Sequence, residues 1–119
     1  MKTTLIIGAS NNPERYSYKA AHKLLAHGHS IIPFGVKRGS VADLEILNEW
    51  DETWECDTVT MYVNPRIQKD YYDQIISLKP RRVIFNPGTE NEYFSQLLSD
   101  NGIETENACT LVLLSINEY

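Results

Sequence analysis

Apolar runs alternate with amphipathic stretches along this chain, and the alternation predicts strands and helices in turn. Residues 3–8 carry Leu5, Ile6 and Ile7 at successive positions, the pattern of a strand buried on both faces. From Ser17 to His27 the pattern becomes helical, with Ala20, Ala21, Leu24 and Leu25 on one stripe and Gly28 as its stop. A second strand is expected at Ser30–Phe34, which completes a βαβ unit. Thr58–Val63 reads as the third main strand, and Asn64-Pro65 supplies an N-cap and a first-turn proline for the next helix. That helix should bury Ile67, Tyr71, Ile75 and Leu78 and end before Pro80. Arg82–Asn86 is the fourth strand, followed by a Pro87-Gly88 turn. Thr89 and Glu92 have capping-box spacing for a helix burying Tyr93, Phe94, Leu97 and Leu98, with its stop at Asn101-Gly102. A short strand at Ile103–Glu106 and a short helix or extended cap at Leu111–Ile116 close the chain.

Residues 39–57 break this rhythm. Seven acidic residues are mixed there with Leu44, Ile46, Leu47, Trp50 and Trp54. The expectation is a short extended piece near 44–47, a turn or single helical turn, and two tryptophans packing over a sheet edge. Taken together, the elements predict an α/β fold: a Rossmann-like, open, mainly parallel sheet of about five strands with helices on both faces.

The 119 residues suit a single domain spanning 1–119, and 42% hydrophobic with 23% charged content is ordinary for a globular protein. No apolar run approaches the roughly 20 residues of a membrane span, and the start of the chain reads straight into a strand, without the pattern of a secretory signal. Cys56 and Cys109 lack metal or redox spacing, so free thiols in a cytoplasmic setting are expected. A net charge of −5 disfavours nonspecific nucleic-acid binding. Its distribution is uneven. Lys2, Arg15, Lys19, Lys23, Lys37 and Arg38 against Glu14 make residues 1–38 formally +5, which leaves −10 for residues 39–119. A basic first βαβ unit in an acidic chain suits a small anion, although solvated lysines on a helix face have the same composition.

In an open parallel sheet, ligands bind beyond the carboxyl ends of the strands. Those ends are Gly8-Ala9-Ser10, Phe34 to Arg38, Tyr62 to Pro65, and Phe85 to Gly88. They are small, amide-bearing and basic, which describes a binding crevice rather than a reaction centre. The first turn has Gly8 but places Ser10 and Pro13 where a dinucleotide fingerprint has its other glycines. The second strand ends in Lys37 and Arg38, where an NAD site would carry a carboxylate for the ribose hydroxyls. A basic pair attracts a phosphorylated ribose instead, as in NADP or coenzyme A.

The run Ile7-Gly8-Ala9-Ser10-Asn11-Asn12-Pro13-Glu14-Arg15-Tyr16-Ser17-Tyr18 resembles the opening of the small single-domain CoA-binding proteins. These are relatives of the CoA-binding N-terminal domain of the succinyl-CoA synthetase alpha subunit. The family motif, approximately G-A-S-x-x-P-x-R-x-S-Y, is matched throughout that run. Pro33 through Gly39 is similar to a P-x-x-P-K/R-x-G segment with Val36 in place of proline, and Asn86 through Asn91 is similar to the family's P-G-x-x-N turn. Cys109 falls at the cysteine of a D-R-C-like segment, with Asn107 and Ala108 before it.

The resemblance implies a Rossmann-like fold that binds coenzyme A or an acyl-CoA through its nucleotide end. The pyrophosphate would lie at Gly8, Ala9 and Ser10, with Arg15 and Ser17 within reach. Lys37 would meet a phosphate, and Phe34 and Val36 would flank the adenine. Asn64, Pro65, Asn86 and Pro87 would line the crevice toward the pantetheine arm. No catalytic residue is carried over, because the synthetases' phosphorylated histidine lies in another domain. Two other readings stay open: an NADP-binding oxidoreductase-like protein, and an interaction subunit with a vestigial pocket that meets a protein partner through Trp50, Trp54 and residues 43–57. Open sheet edges also leave room for a homodimer. His22, His27 and His29 lack companion ligands and read as helix-end histidines favoured by the dipole. Cys109 reads as a small buried hydrophobe.

Overall fold

The computed structural model describes residues 2–119. Five strands form one sheet: β1 (Thr3–Ile7), β2 (Ser30–Phe34), β5 (Thr58–Met61), β6 (Arg82–Phe85) and β7 (Glu104–Asn107). Their order is β2-β1-β5-β6-β7, and every neighbouring pair is parallel. The chain runs from β1 outward to β2, then returns to the other side of β1 with β5, so the topological switch lies between β1 and β5. Register aligns Phe34, Ile7, Met61, Phe85 and Asn107 in one row, which brings all five carboxyl-end loops to one edge of the sheet.

The two-residue period of the strands divides the core. Leu5, Ile7, Val59, Met61, Val83 and Phe85 face the layer of α3 (Tyr72–Leu78) and α4 (Glu92–Asp100). Ile6 and Ile31 face α1 (Tyr16–Ala26) and α5 (Thr110–Ser115), where Ala21, Leu24 and Leu114 cover them. Leu25, assigned to the buried stripe from spacing, instead lies 37% exposed at the stripe's margin. Gly28 takes a positive φ of 85°, and His29 N–H closes the turn on Leu24 O at 3.0 Å, as expected of a helix stop.

Two helices differ from the reading of the sequence. The stretch after Asn64 is not one helix but α2 (Pro65–Gln68), a 3-10 turn (Lys69–Tyr71) and α3. The break rotates the buried face, so Ile67 is exposed and Gln68 is fully buried. In α4 the N-cap is Asn91, whose side chain accepts from Phe94 N–H at 3.0 Å, and not Thr89. Thr89 has another use: its hydroxyl donates to Asn86 O in the preceding turn. With the helix starting later, Tyr93 points outward and is 69% exposed.

Residues 39–57 form a small hairpin, β3 (Ser40–Val41) with β4 (Leu44–Glu45), turned by Ala42 and Asp43 at positive φ. Leu47 then adds a parallel bridge to Phe34, lengthening the sheet edge by one rung. Pro33 is tolerated in β2 because this is an edge, where its carbonyl accepts from Leu47 N–H at 2.8 Å. Trp50 and Trp54 pack with Phe34 and Tyr71 at centroid distances of 5.1–5.8 Å, the anchoring role expected of them.

Candidate functional site

The loop after β1 is built by its own small residues. Gly8 and Ala9 both donate their N–H groups to Phe34 O at 2.9 Å, tying the first turn to the end of β2. Gly8 sits at φ 101°, and a Cβ there would lie 3.0 Å from Val63 Cγ1 and 3.1 Å from Tyr62 backbone. The β1 and β5 loops are therefore in contact across the switch point. Ser10 Oγ accepts from Asn12 N–H, and Asn12 Oδ1 accepts from Glu14 N–H, both at 3.0 Å. These turns deliver the chain to α1, whose N-cap, Arg15, offers no side-chain acceptor, and whose first turn holds no acidic residue. The first N–H groups of an eleven-residue helix are left for an anion to accept. Ser17 is buried in that first turn and Arg15 is exposed beside it.

The loop after β2 locks against this one. Gly35 passes so close to Ala9 that a Cβ would come within 2.4 Å of the Ala9 carbonyl oxygen. Gly39 is backed by Asn11 in the same way, at 2.7 Å from Nδ2. The structure thus brings Gly8, Ala9, Ser10 and the Lys37 loop together. Lys37 and Arg38 are exposed and enter no ion pair among the described residues. Val36 in the loop after β2 stands 83% exposed, and Tyr16 at the start of α1 is 67% exposed. Phe34 does not join them. Its ring is sealed inside the aromatic cluster at 4% exposure, so of the two side chains expected to flank an adenine only Val36 is at the surface.

The third and fourth strand ends are also more occupied than the sequence suggests. Asn64 spends its side chain on capping α2, accepting from Ile67 N–H at 3.1 Å, with Pro65 behind it as the first helical residue. Asn86 is 2% exposed and does not wall a crevice. Its amide donates to Thr60 Oγ1 at 2.7 Å and Met61 O at 2.8 Å, and its oxygen accepts from Thr110 N–H at 2.9 Å. Pro87 is exposed in the turn beyond it.

Two positioning residues escaped the sequence reading. Asn48 donates to Gly35 O and Lys37 O, clasping the basic loop from outside. Gln68 donates to Val63 O and Thr89 O at 2.8 Å, with its own oxygen accepting from Asn91, and so joins the β5 and β6 loops. Neither belongs to a periodic pattern, and their partners lie 5 to 23 residues away in sequence, so no local signal marks them.

Burial pushes the Tyr62 hydroxyl up to about 12, so it stays protonated at neutral pH. His29 departs from the helix-dipole expectation: burial and nearby cations lower its pKa, and its Nδ1 accepts from Lys2 N–H at 3.0 Å. Cys109 is half-buried and is the N-cap residue of α5. A wide concavity of about 1340 Å³ borders the basic loop at Arg38, Gly39 and Asn48 and extends against Trp50, Trp54 and the carboxylates of Asp43, Glu45, Glu49, Asp51 and Glu52. Its carboxylates would repel a diphosphate, so the strand-end crevice is the better seat for one. Among the described residues no helix is long and apolar enough to cross a membrane.

The family model described as CoA binding domain matches residues 2–115. None of the curated proteins compared matches the chain. Among solved structures, the chain is similar to a crystal structure of an uncharacterized protein, with 52% identity, TM-score 0.98, and coverage of 100% of this chain and 98% of that one. A hypothetical protein from Pyrococcus horikoshii OT3 is 25% identical, with TM-score 0.83 over 92% of this chain and 78% of that chain. A Thermus thermophilus protein at 20% identity has TM-score 0.87, covers 99% of this chain and 90% of that one, and speaks for the fold alone.

Proposed function

Because the chain belongs to the CoA-binding domain family, we propose that it holds coenzyme A or an acyl-CoA by the nucleotide end and performs no chemistry on it. One observation carries the reading. The loop that leads into the uncapped start of α1 and the basic Lys37 loop are locked together through the Gly35–Ala9 contact. A diphosphate at Gly8 to Ser10 would accept from the first N–H groups of α1, with Arg15 supplying charge beside it. Lys37 would meet the ribose phosphate, and Val36 would lie along the adenine. The pantetheine arm would leave past Pro65 and Pro87. The ligand's chemistry lies in its thiol, and the side chains near the strand ends suit holding and shielding it. Asn86 is committed to structure, and Tyr62 holds its proton.

A thermal-shift series with CoA, acetyl-CoA, NADP and NAD tests this. Ligand at one hundred times its dissociation constant stabilises a fold by roughly 2.7 kcal/mol, a readily visible shift. CoA and acetyl-CoA should both raise the melting temperature. A response to NADP alone would favour the oxidoreductase-like reading, and silence from all four an interaction subunit. Lys37→Glu should weaken CoA more than dephospho-CoA, since only CoA carries the ribose phosphate.

A further inference from the structure

We propose that Asn48 is a positioning residue for the ligand's ribose phosphate, acting through Lys37. The inference rests on the coenzyme A reading above. Asn48 lies in the acidic stretch, outside the coenzyme A-binding residues that the family resemblance implies, eleven residues beyond Lys37 and thirteen beyond Gly35. A single amide nitrogen donates to both Gly35 O, at 2.8 Å, and Lys37 O, at 3.0 Å. The two carbonyls flank Val36, so the bond pair closes the loop from outside. The residue before it is itself anchored: Leu47 donates to Pro33 O at 2.8 Å and accepts from Gly35 N–H at 3.0 Å. On the inner side, Gly35 abuts the Ala9 carbonyl with no room for a side chain. The basic loop is therefore clasped between the edge rung at Leu47-Asn48 and the loop proposed to seat the diphosphate.

Lys37 needs such a clasp. Its side chain is exposed and enters no ion pair among the described residues. A lysine on a flexible stem samples many positions, and its interaction with a phosphate gains when its backbone origin is fixed. Asn48 fixes that origin at a constant distance from Ala9. The position of the ammonium relative to the diphosphate is then set before ligand arrives, which makes Asn48 a determinant of selectivity for phosphorylated over unphosphorylated ribose.

The test is the ratio of dissociation constants for dephospho-CoA and CoA, measured by calorimetry on the full chain. A charge-assisted contact predicts a wild-type ratio of about tenfold or more, and Lys37→Ala should reduce it toward one. Asn48→Ala should reduce the ratio severalfold while leaving dephospho-CoA affinity within about twofold, because preorganisation at Lys37 affects only the ligand bearing that phosphate. Asn48→Asp, which keeps the shape but presents acceptors to two carbonyl oxygens, should do the same. The double variant with Lys37→Ala should be no worse than Lys37→Ala alone. Asn48 is exposed, and the melting temperature of the free variants separates loss of fold from loss of selectivity. A wild-type protein that binds no CoA overturns the coenzyme A reading itself. A wild type that discriminates while both Asn48 variants keep the full ratio, or a strictly additive double variant, overturns the role of Asn48 alone.

Discussion

Replacing Asn86 by alanine separates a crevice-lining role from a structural one. The side chain is 2% exposed and makes hydrogen bonds to three groups on two elements, at 2.7, 2.8 and 2.9 Å. Thr60 Oγ1 keeps a second partner in Thr110 Oγ1, but Met61 O loses a donor and Thr110 N–H loses its acceptor. A net hydrogen bond contributes about 1 kcal/mol, and a buried group left unpaired costs about 1–3 kcal/mol. Asn86→Ala should therefore destabilise by about 3–5 kcal/mol. For a domain of this size that is on the order of 12–20 °C in melting temperature. Urea unfolding followed by circular dichroism gives the free energy directly, with the m-value unchanged if the unfolded state is unaffected. A loss below about 1 kcal/mol accompanied by weakened CoA binding would refute the structural assignment and restore Asn86 to the crevice.

Gly35→Ala should separate the two ligand loops: its Cβ would lie 2.4 Å from a backbone oxygen, a clash costing roughly 1–3 kcal/mol or more. Gly88→Ala, with open space around it but φ at 94°, should cost only about 1 kcal/mol of backbone strain and spare CoA affinity, so equal effects in calorimetry and melting would contradict the loop-locking argument. His29 has a lowered pKa in the fold, chiefly from burial, so the unfolded chain binds its proton more readily. Its contribution to stability is complete above about pH 6.5 and falls away as pH drops toward the folded value. His29→Gln should flatten that acid limb in melting curves taken from pH 7 to 5. Cys56, raised to about 11 by burial and by Asp57, should be alkylated at pH 8 on the order of a hundredfold more slowly than in the unfolded chain, as mass spectrometry of iodoacetamide-treated protein would show.

Much of this molecule is determined locally. Apolar and β-branched runs at 5–7, 58–63 and 83–85, set between helical stripes, point to a parallel sheet, because a strand buried on both faces is mostly apolar. Asn64-Pro65 and Gly28 mark helix ends, since capping involves groups only a few residues apart. The basic pair Lys37-Arg38 at the end of β2 is equally legible, because charge and strand order suffice to expect an anion there.

Tertiary contacts decided the rest. Nothing in the spacing distinguishes Phe34, sealed by Trp50, Trp54 and Tyr71, from Val36 two residues later. The family resemblance implies a crevice-lining role for Asn86, yet its partners Met61 and Thr110 lie 25 and 24 residues away and consume its amide. Asn48 and Gln68 became positioning groups only when the chain brought carbonyls from distant loops within 3.0 Å. A polar side chain declares its type in sequence. Which backbone group it satisfies is settled by packing, because a buried donor pairs with whatever acceptor the fold places beside it.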